Sequence, residues 1–523
     1  MSKSNYPALA LTLVITTGLL GGGFWYLRKT APGLFSGSIS QPSGTGSTNP
    51  NTSTQLTLLG DTFSGYSTFR SDEFQAALAE FGVGLKYEDE FDQAQRAAKL
   101  SQGAADLMVT TLDQFLQQQP QGKIVGLIDR TVGADAVVLN TKKYPNLKSL
   151  QDVTQLVQQA RAQGQSLSIA YAGDTPSEYL ALVLDTKFEA FKLSDFEQLR
   201  VADASEAWSQ MQDPNQNVAI AVLWEPFVTQ ARQQGYTVVL SSNDAPNSIV
   251  DVIVASDRLM QSKPDQITEL LEAYYRRIDV NIRDASQLQT QIAKDGGLSP
   301  ADAGAVLQGI AFFTAAETQR WMTDDTLQRR VGAIAAVLVL SGRLNQVPQN
   351  PDALFTNQFL TKAAANTQTL IDLVRADNPS LADKLAGNKT QTAAAPQVTA
   401  SQVQAAPNIG NLQVQGKVDF ATGSAQLTSV GQQTLEGLVK EIQEFNPQTV
   451  AVRVIGHTSR TGSAGFNQTL SQQRAQVVLN FLRGKGIQHN IVAEGKGFSS
   501  PLPGIAPTDA KNQRTEIRLV RVN

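Results

Sequence analysis

Short apolar runs and helical periodicity alternate along most of this chain. Leu56–Leu59, Leu107–Val109, Ile124–Ile128, Ala136–Asn140, Leu167–Ala170, Val218–Leu223 and Val250–Val254 have the length and aliphatic character of buried strands. Amphipathic stretches such as Ser71–Phe81 stand between them and predict helices. The alternation predicts an α/β body of parallel sheets with helices on both faces. From Pro264 to Gly342 the pattern turns helical, as in ITELLEAYYRRI, and Val331–Leu340 is too short to span a membrane and predicts a buried helix. A second pattern follows near the end of the chain. It predicts a strand over Val414–Phe420, a helix over Ser429–Phe445, a strand over Val450–Ile455 and a last strand over Arg514–Val522. Another helix is expected from Thr469, with Leu470, Ala475, Val477, Val478, Phe481 and Leu482 apolar and Asn467 or Thr469 as its cap.

Two polar stretches divide these patterns. Thr30–Gln55 carries no charge and is dense in Ser, Gly, Thr, Pro and Asn, so it cannot build a core and reads as a tether spanning ~30 Å. Asn388–Pro407, rich in Ala, Gln, Thr and Pro, reads as a second tether. Ahead of the first, Ala8–Leu27 is a run without charge, long enough to cross a bilayer, with Tyr6, Trp25 and Tyr26 at its ends. An uncleaved N-terminal membrane helix is expected; a cleaved signal peptide is the alternative, opposed by the length of the run and the lack of a nearby A-x-A site. The expected organisation is an anchor at 1–29, a linker at 30–55, the α/β body at 56–387, a linker at 388–410 and a small domain at 411–523.

Charge and composition narrow the chemistry. The net charge of -4 argues against a nucleic-acid binder. Residues 411–523 hold 12 Lys and Arg against 7 Asp and Glu, so the tail is basic and suits an anionic polymer. There is no cysteine, and His457 and His489 are the only histidines. Disulfides, thiolate metal sites and a Ser-His-Asp triad outside the tail are therefore excluded. No cofactor is expected, and an enzyme is disfavoured.

The tail then resembles a known family. Gly456, His457, Thr458, Gly462, Asn467, Leu470, Ser471, Arg474 and Ala475 stand in the register of the peptidoglycan-binding domain of OmpA-like proteins, and Val418–Thr428 and Asn512-Gln513-Arg514 agree with it. The resemblance implies an α+β domain of order βαβαββ. It also implies that Thr458, Ser459, Asn467, Arg474 and Arg514 bind peptidoglycan, Arg474 taking the carboxylate of the stem-peptide diaminopimelate. The family's amine-binding Asp is Ser459 here, and the first Arg of its NRR is Gln513. Two charged partners have become neutral, and Arg460 adds a positive charge nearby, so weakened binding, an altered stem or a protein partner is implied.

The body resembles type 2 periplasmic solute-binding proteins of the nitrate, sulfonate and thiamine-precursor branch. Gly103–Leu116, Gly173–Asp185 and Val222–Val228 carry the likeness by their order and spacing. It implies two lobes, 56–138 with 252–385 and 142–248, joined by strands crossing near Val137–Asn140 and Val250–Val254, with a small polar or anionic solute in the cleft between them. Thr62, Ser64 and Tyr66 lie in the expected ligand-covering loop, and Thr110 and Thr111 follow a strand. Thr175 and Ser177 stand at a helix start able to hold an anion, or simply to cap the helix. Trp224 and Glu225 would supply a wall and a charge, with core packing the alternative for Trp224. The Ala8–Leu27 run and the two resemblances together predict an envelope protein, single-pass in the membrane, with its body in the periplasm as the resemblances imply. It would bind solute, attach to the cell wall and serve an ABC-type permease. The rival is a non-transport scaffold or structural envelope protein whose solute-binding fold has lost its ligand and, with the OmpA-like domain, serves protein interactions.

Overall fold

Leu56, Leu58 and Leu59 are fully buried in the first strand, β1 (Thr54–Gly60), of a computed structural model that describes residues 54–189, 191–387, 397–414 and 418–522. β1 pairs in parallel with β2 (Val83–Asp89) and β3 (Leu107–Thr111). β4 (Gly122–Thr131), β10 (Val250–Ser256) and β11 (Ile310–Phe312) complete a sheet of order β11-β4-β10-β3-β1-β2. A second sheet has the order β7-β6-β8-β5-β9, from β5 (Asp135–Leu139), β6 (Ser168–Ala172), β7 (Glu197–Val201), β8 (Val218–Trp224) and β9 (Thr237–Ser241).

Two crossings join the sheets. The chain leaves the first between Thr131 and Asp135 and returns between Ser241 and Val250. The first crossing therefore precedes Val137–Asn140, which lie inside or just after β5. Neither sheet is purely parallel: β10 runs antiparallel to β3 and β4, and β5 to β8 and β9. A strand that arrives from the other lobe enters at the C-terminal edge and so runs backward.

The helix Thr326–Leu340 buries Leu327, Val331, Ile334, Ala335, Val337 and Leu338, as its pattern predicts. It packs on both Leu112–Gln118 of the first lobe and Pro176–Lys187 of the second.

The C-terminal sheet has the order β12-β15-β13-β14, from β12 (Asn408–Asn411), β13 (Val450–Gly456), β14 (Ile491–Gly495) and β15 (Thr515–Arg521). With helices Ser429–Gln443 and Ala464–Gly484 the chain order is βαβαββ. Among the described residues its first strand is β12, ahead of the expected strand over 414–420, of which residues 415–417 lie outside the described residues. Ile409 and Leu412 enter the core, as does Val418, while Phe420 packs against it and makes an isolated bridge to Leu427.

The second linker is partly ordered structure. Ala400–Ala405 is a helix closed by a capping box between Thr399 and Gln402, and β12 follows at once. This segment fastens the C-terminal domain to the second lobe. Gln413 N–H donates to Lys187 O at 2.8 Å, Glu189 N–H to Asn411 O at 2.9 Å, and Asn446 N–H to Asp244 O at 2.8 Å. Phe188 and Phe445 meet edge to face at 6.2 Å. Lys187 pairs with Glu441, Arg330 with Glu444 and Arg521 with Asp244. A single apolar core runs through both bodies.

The expectation of a single-pass membrane protein is overturned: among the described residues no helix is long and apolar enough to cross a membrane. The Ala8–Leu27 run and residues 30–53 of the first tether lie outside the described residues.

Candidate binding sites

Strand β13 ends at Gly456 and delivers His457, Thr458 and Ser459 into a buried loop. Gly462 has φ of 86°, a left-handed turn that favours glycine. The next helix starts at Ala464, five residues before expectation, because Ser463 caps it by accepting from Phe466 N–H at 3.2 Å. Asn467 is therefore neither cap nor recess lining. Its Nδ2 donates to Thr461 O at 2.8 Å and Ser463 O at 3.0 Å, tying the loop to the helix.

Arg474, two turns further on, is 6% exposed. Its Nε donates to Ser424 O at 2.9 Å, its Nη1 to Gln513 Oε1 at 3.4 Å, and its guanidinium lies 5.0 Å from the Phe420 ring. Burial lowers its pKa, opposed by Asp419. Gln513 Nε2 donates to Ser459 Oγ at 3.2 Å, and Ser459 Oγ lies 3.1 Å from Thr461 Oγ1. Arg474, Gln513 and Arg514 line one recess with Val418, Asp419, Phe420 and Thr515. Thr458 Oγ1 is buried without a partner.

Arg514 is oriented by Glu516, which sequence reading missed. Arg514 Nε and Nη2 donate to Glu516 Oε1 at 3.0 and 2.6 Å, Arg518 donates to Oε2 at 2.9 Å, and His457 Nε2 lies 3.2 Å away. Burial pushes the Glu516 carboxyl up, but His457 and Arg514 outweigh it and hold it at about 2. The i, i+2 spacing of Arg514, Glu516 and Arg518 on a strand was the available signal. A buried guanidinium beside an aromatic face, lining a recess, can hold a carboxylate.

The interlobe residues are arranged differently from one another. Thr62 is exposed and Ser64 half-buried. Tyr66 is buried and donates to Asp251 Oδ1 at 2.5 Å. Thr110 is spent on Gln93 Oε1 at 2.9 Å, while Thr111 sits opposite Asp251 in the β3–β10 register. Thr175 is a plain cap: Oγ1 accepts from Ser177 N–H at 3.2 Å and donates to Ala172 O at 2.8 Å. Ser177 Oγ is buried without a partner. The backbone around this helix start already has an anion, because Glu178 accepts from Asp174 N–H at 2.7 Å and Arg200 at 2.8 Å and pairs with Arg343. Trp224 packs on the second lobe's core. Glu225 accepts from Thr229 N–H and Oγ1 at 3.0 and 2.9 Å.

The structure thus gathers Tyr66 and Thr111 at the crossing strands and leaves the second-lobe residues in local bonds. Sequence reading missed the carboxylates there. Asp129 is raised to about 8 by burial, with Arg130 opposing and Asp135 adding. Asp135 is raised to about 7 by burial, with Thr131 opposing and Glu225 adding. Asp251 is raised well above the usual carboxylate range by burial and by Asp129. An aspartate at the end of an otherwise apolar strand was the signal.

A βαβαββ domain with a buried arginine at a recess beside the start of its last strand, joined to a two-lobed α/β body, defines the class. Residues 419–515 match the model of the OmpA family. Outer membrane protein A of Shimwellia blattae is 40% identical over 95 residues, 18% of this chain and 39% of that protein. The chain spans less than half the length of the first curated relatives it matches. Solved structures similar to this chain include periplasmic binding proteins. The aliphatic sulphonate binding protein SsuA from Escherichia coli is 14% identical, covers 58% of this chain and 98% of its own, and has a TM-score of 0.44. The nitrate-binding protein NrtA from Synechocystis PCC 6803 is 12% identical, covers 60% and 88%, and has a TM-score of 0.45.

Proposed function

We propose that this chain is an envelope protein that attaches to peptidoglycan through residues 411–523 and binds a small solute between the lobes of residues 56–387, in the service of an ABC-type permease. The Arg474 recess carries the reading: a guanidinium is held by Ser424 and Gln513 beside Phe420, open to a stem-peptide carboxylate. In this reading Thr458, Ser459 and Arg514 surround the same ligand, and Asn467 shapes the loop. Of the residues expected at the solute cleft, Tyr66 and Thr111 at the crossing strands are the ones this reading keeps in contact with solute, with Thr62 and Ser64 in the loop beside them; Thr110, Thr175, Ser177, Trp224 and Glu225 support the walls.

The test is co-sedimentation of the whole chain with insoluble peptidoglycan. The chain is expected in the pellet and is released by excess soluble stem peptide carrying diaminopimelate. A chain that stays in the supernatant contradicts wall attachment.

A second reading, a scaffold that has given up solute, is favoured by one observation: Glu178, Arg200 and Arg343 fill the helix start where an anion would sit. Isolation of a stable complex with another envelope protein, together with no response to any solute, supports it.

A further inference from the structure

At the crossing strands two carboxylates are buried without adequate partners. Asp129 is fully buried and both of its oxygens lack a hydrogen-bond partner; Asp251 is 1% exposed and its Oδ2 lacks one. Register places them on neighbouring strands, with Val250 opposite Arg130 and a bulge before Val252. Tyr66 donates to Asp251 Oδ1. The Tyr274 hydroxyl, also fully buried and without a partner, feels both carboxylates. Native proteins rarely leave such groups unsatisfied, since a buried polar group without a partner costs on the order of 1–3 kcal/mol and a bare charge more.

The nearby cations make their hydrogen bonds to other groups, although Arg130 Nε has no partner and its charge favours the ionised form of Asp129. Arg130 is turned to Glu317 at 2.9 Å and lies 4.6 Å from the Phe313 ring. Arg96 donates to Asp61 at 2.8 Å and to Val109 O at 2.7 Å. Asp135 adds to the negative field at both Asp129 and Asp251, and Asp61 adds to it at Asp251. Phe63 and Tyr66 meet edge to face at 5.2 Å beside them. Gly65 is needed for this closeness, because a Cβ there would lie 2.2 Å from Asp129 Oδ2.

We propose that Asp129 and Asp251, backed by Tyr66 and Tyr274, form a cation site that takes the ammonium or guanidinium group of a small organic solute. An anion would meet an acidic floor. Among the described residues no group of three or more His, Asp or Glu side chains is placed to hold a metal ion, so N–H donors suit the empty oxygens better. The inference rests on the solute-binding half of the reading above and assigns its solute a cationic group, where the sequence resemblance implied a polar or anionic one.

The test is a thermal-shift titration of the whole chain with putrescine, n-butylamine and arginine, against ethanesulfonate and nitrate. At least one of the first three is expected to raise the midpoint saturably at millimolar concentration. Asp129→Asn should weaken that response about tenfold, and Tyr66→Phe, a milder change that serves if Asp129→Asn does not fold, severalfold. A saturable response to ethanesulfonate or nitrate alone overturns the cation site and leaves the solute-binding reading standing. A response to none of the five overturns both. A cation response unchanged in the variants places the site elsewhere and also overturns the proposal.

Discussion

Gln513 donates to Ser459 at 3.2 Å, and the oxygen of the same amide accepts from Arg474 at 3.4 Å. The two positions where this tail departs from the usual OmpA form are therefore in contact. A neutral amide–hydroxyl bond occupies the place of two charges, and Arg474 stays oriented through it.

Restoring the acid should restore the missing attraction. Ser459→Asp can keep the Gln513 bond and places a carboxylate where a stem-peptide amine would sit. Peptidoglycan binding is expected to tighten about tenfold, ~1.4 kcal/mol, as measured by sedimentation isotherms at fixed salt. The gain should shrink as salt rises.

The C-terminal domain and the second lobe should unfold together, because Phe188, Phe445, Leu412 and Ile409 belong to one core. Phe445→Ala is expected to cost about 3–4 kcal/mol and to lower a single calorimetric transition. Two separate transitions in the unaltered chain would show that the bodies are independent.

Acid should act through Glu516. Its folded pKa of about 2 lies below its unfolded value, so its contribution is present above the unfolded pKa and is lost as pH falls toward 2. Glu516→Gln should flatten the fall in stability between about pH 4.5 and 2 in urea titrations.

The crossing-strand aspartates should act with the opposite sign. Asp129 and Asp135 have raised folded values of about 8 and 7, so their contribution is full below the unfolded pKa and is lost as pH rises through the folded ones. Without solute, Asp129→Asn should be more stable than the unaltered chain at pH 8 and should lose less stability between pH 5 and 8. Chemical denaturation at the two pH values checks this.

Thr175→Ala should cost ~1 kcal/mol through the lost cap and leave any solute response unchanged, since its hydroxyl is spent on Ser177 and Ala172. A selective loss of solute binding would return Thr175 to the site.

Much of the architecture was legible because apolar runs report burial directly. The body's strand runs and the Val331–Leu340 helix fall where burial places them. What escaped was set by partners remote in sequence. β12 is a strand only because β15 and the second lobe accept it, so Asn408–Asn411 looked like the end of a linker. Ser463 outcompeted Asn467 as cap because the loop after Ser459 folds back on the helix. Asp129 and Asp251 became neighbours through strand pairing across more than a hundred residues, which local pattern does not reveal.

The decisive measurement is the dissociation constant of the whole chain for a soluble diaminopimelate-containing muropeptide, compared with Arg474→Ala and Arg474→Lys. Loss of about thirtyfold or more in Arg474→Ala, with only partial recovery in Arg474→Lys because an ammonium cannot reproduce the guanidinium fork, is the predicted result. Affinity unchanged in a folded Arg474→Ala chain would contradict the assignment of this recess to the cell wall.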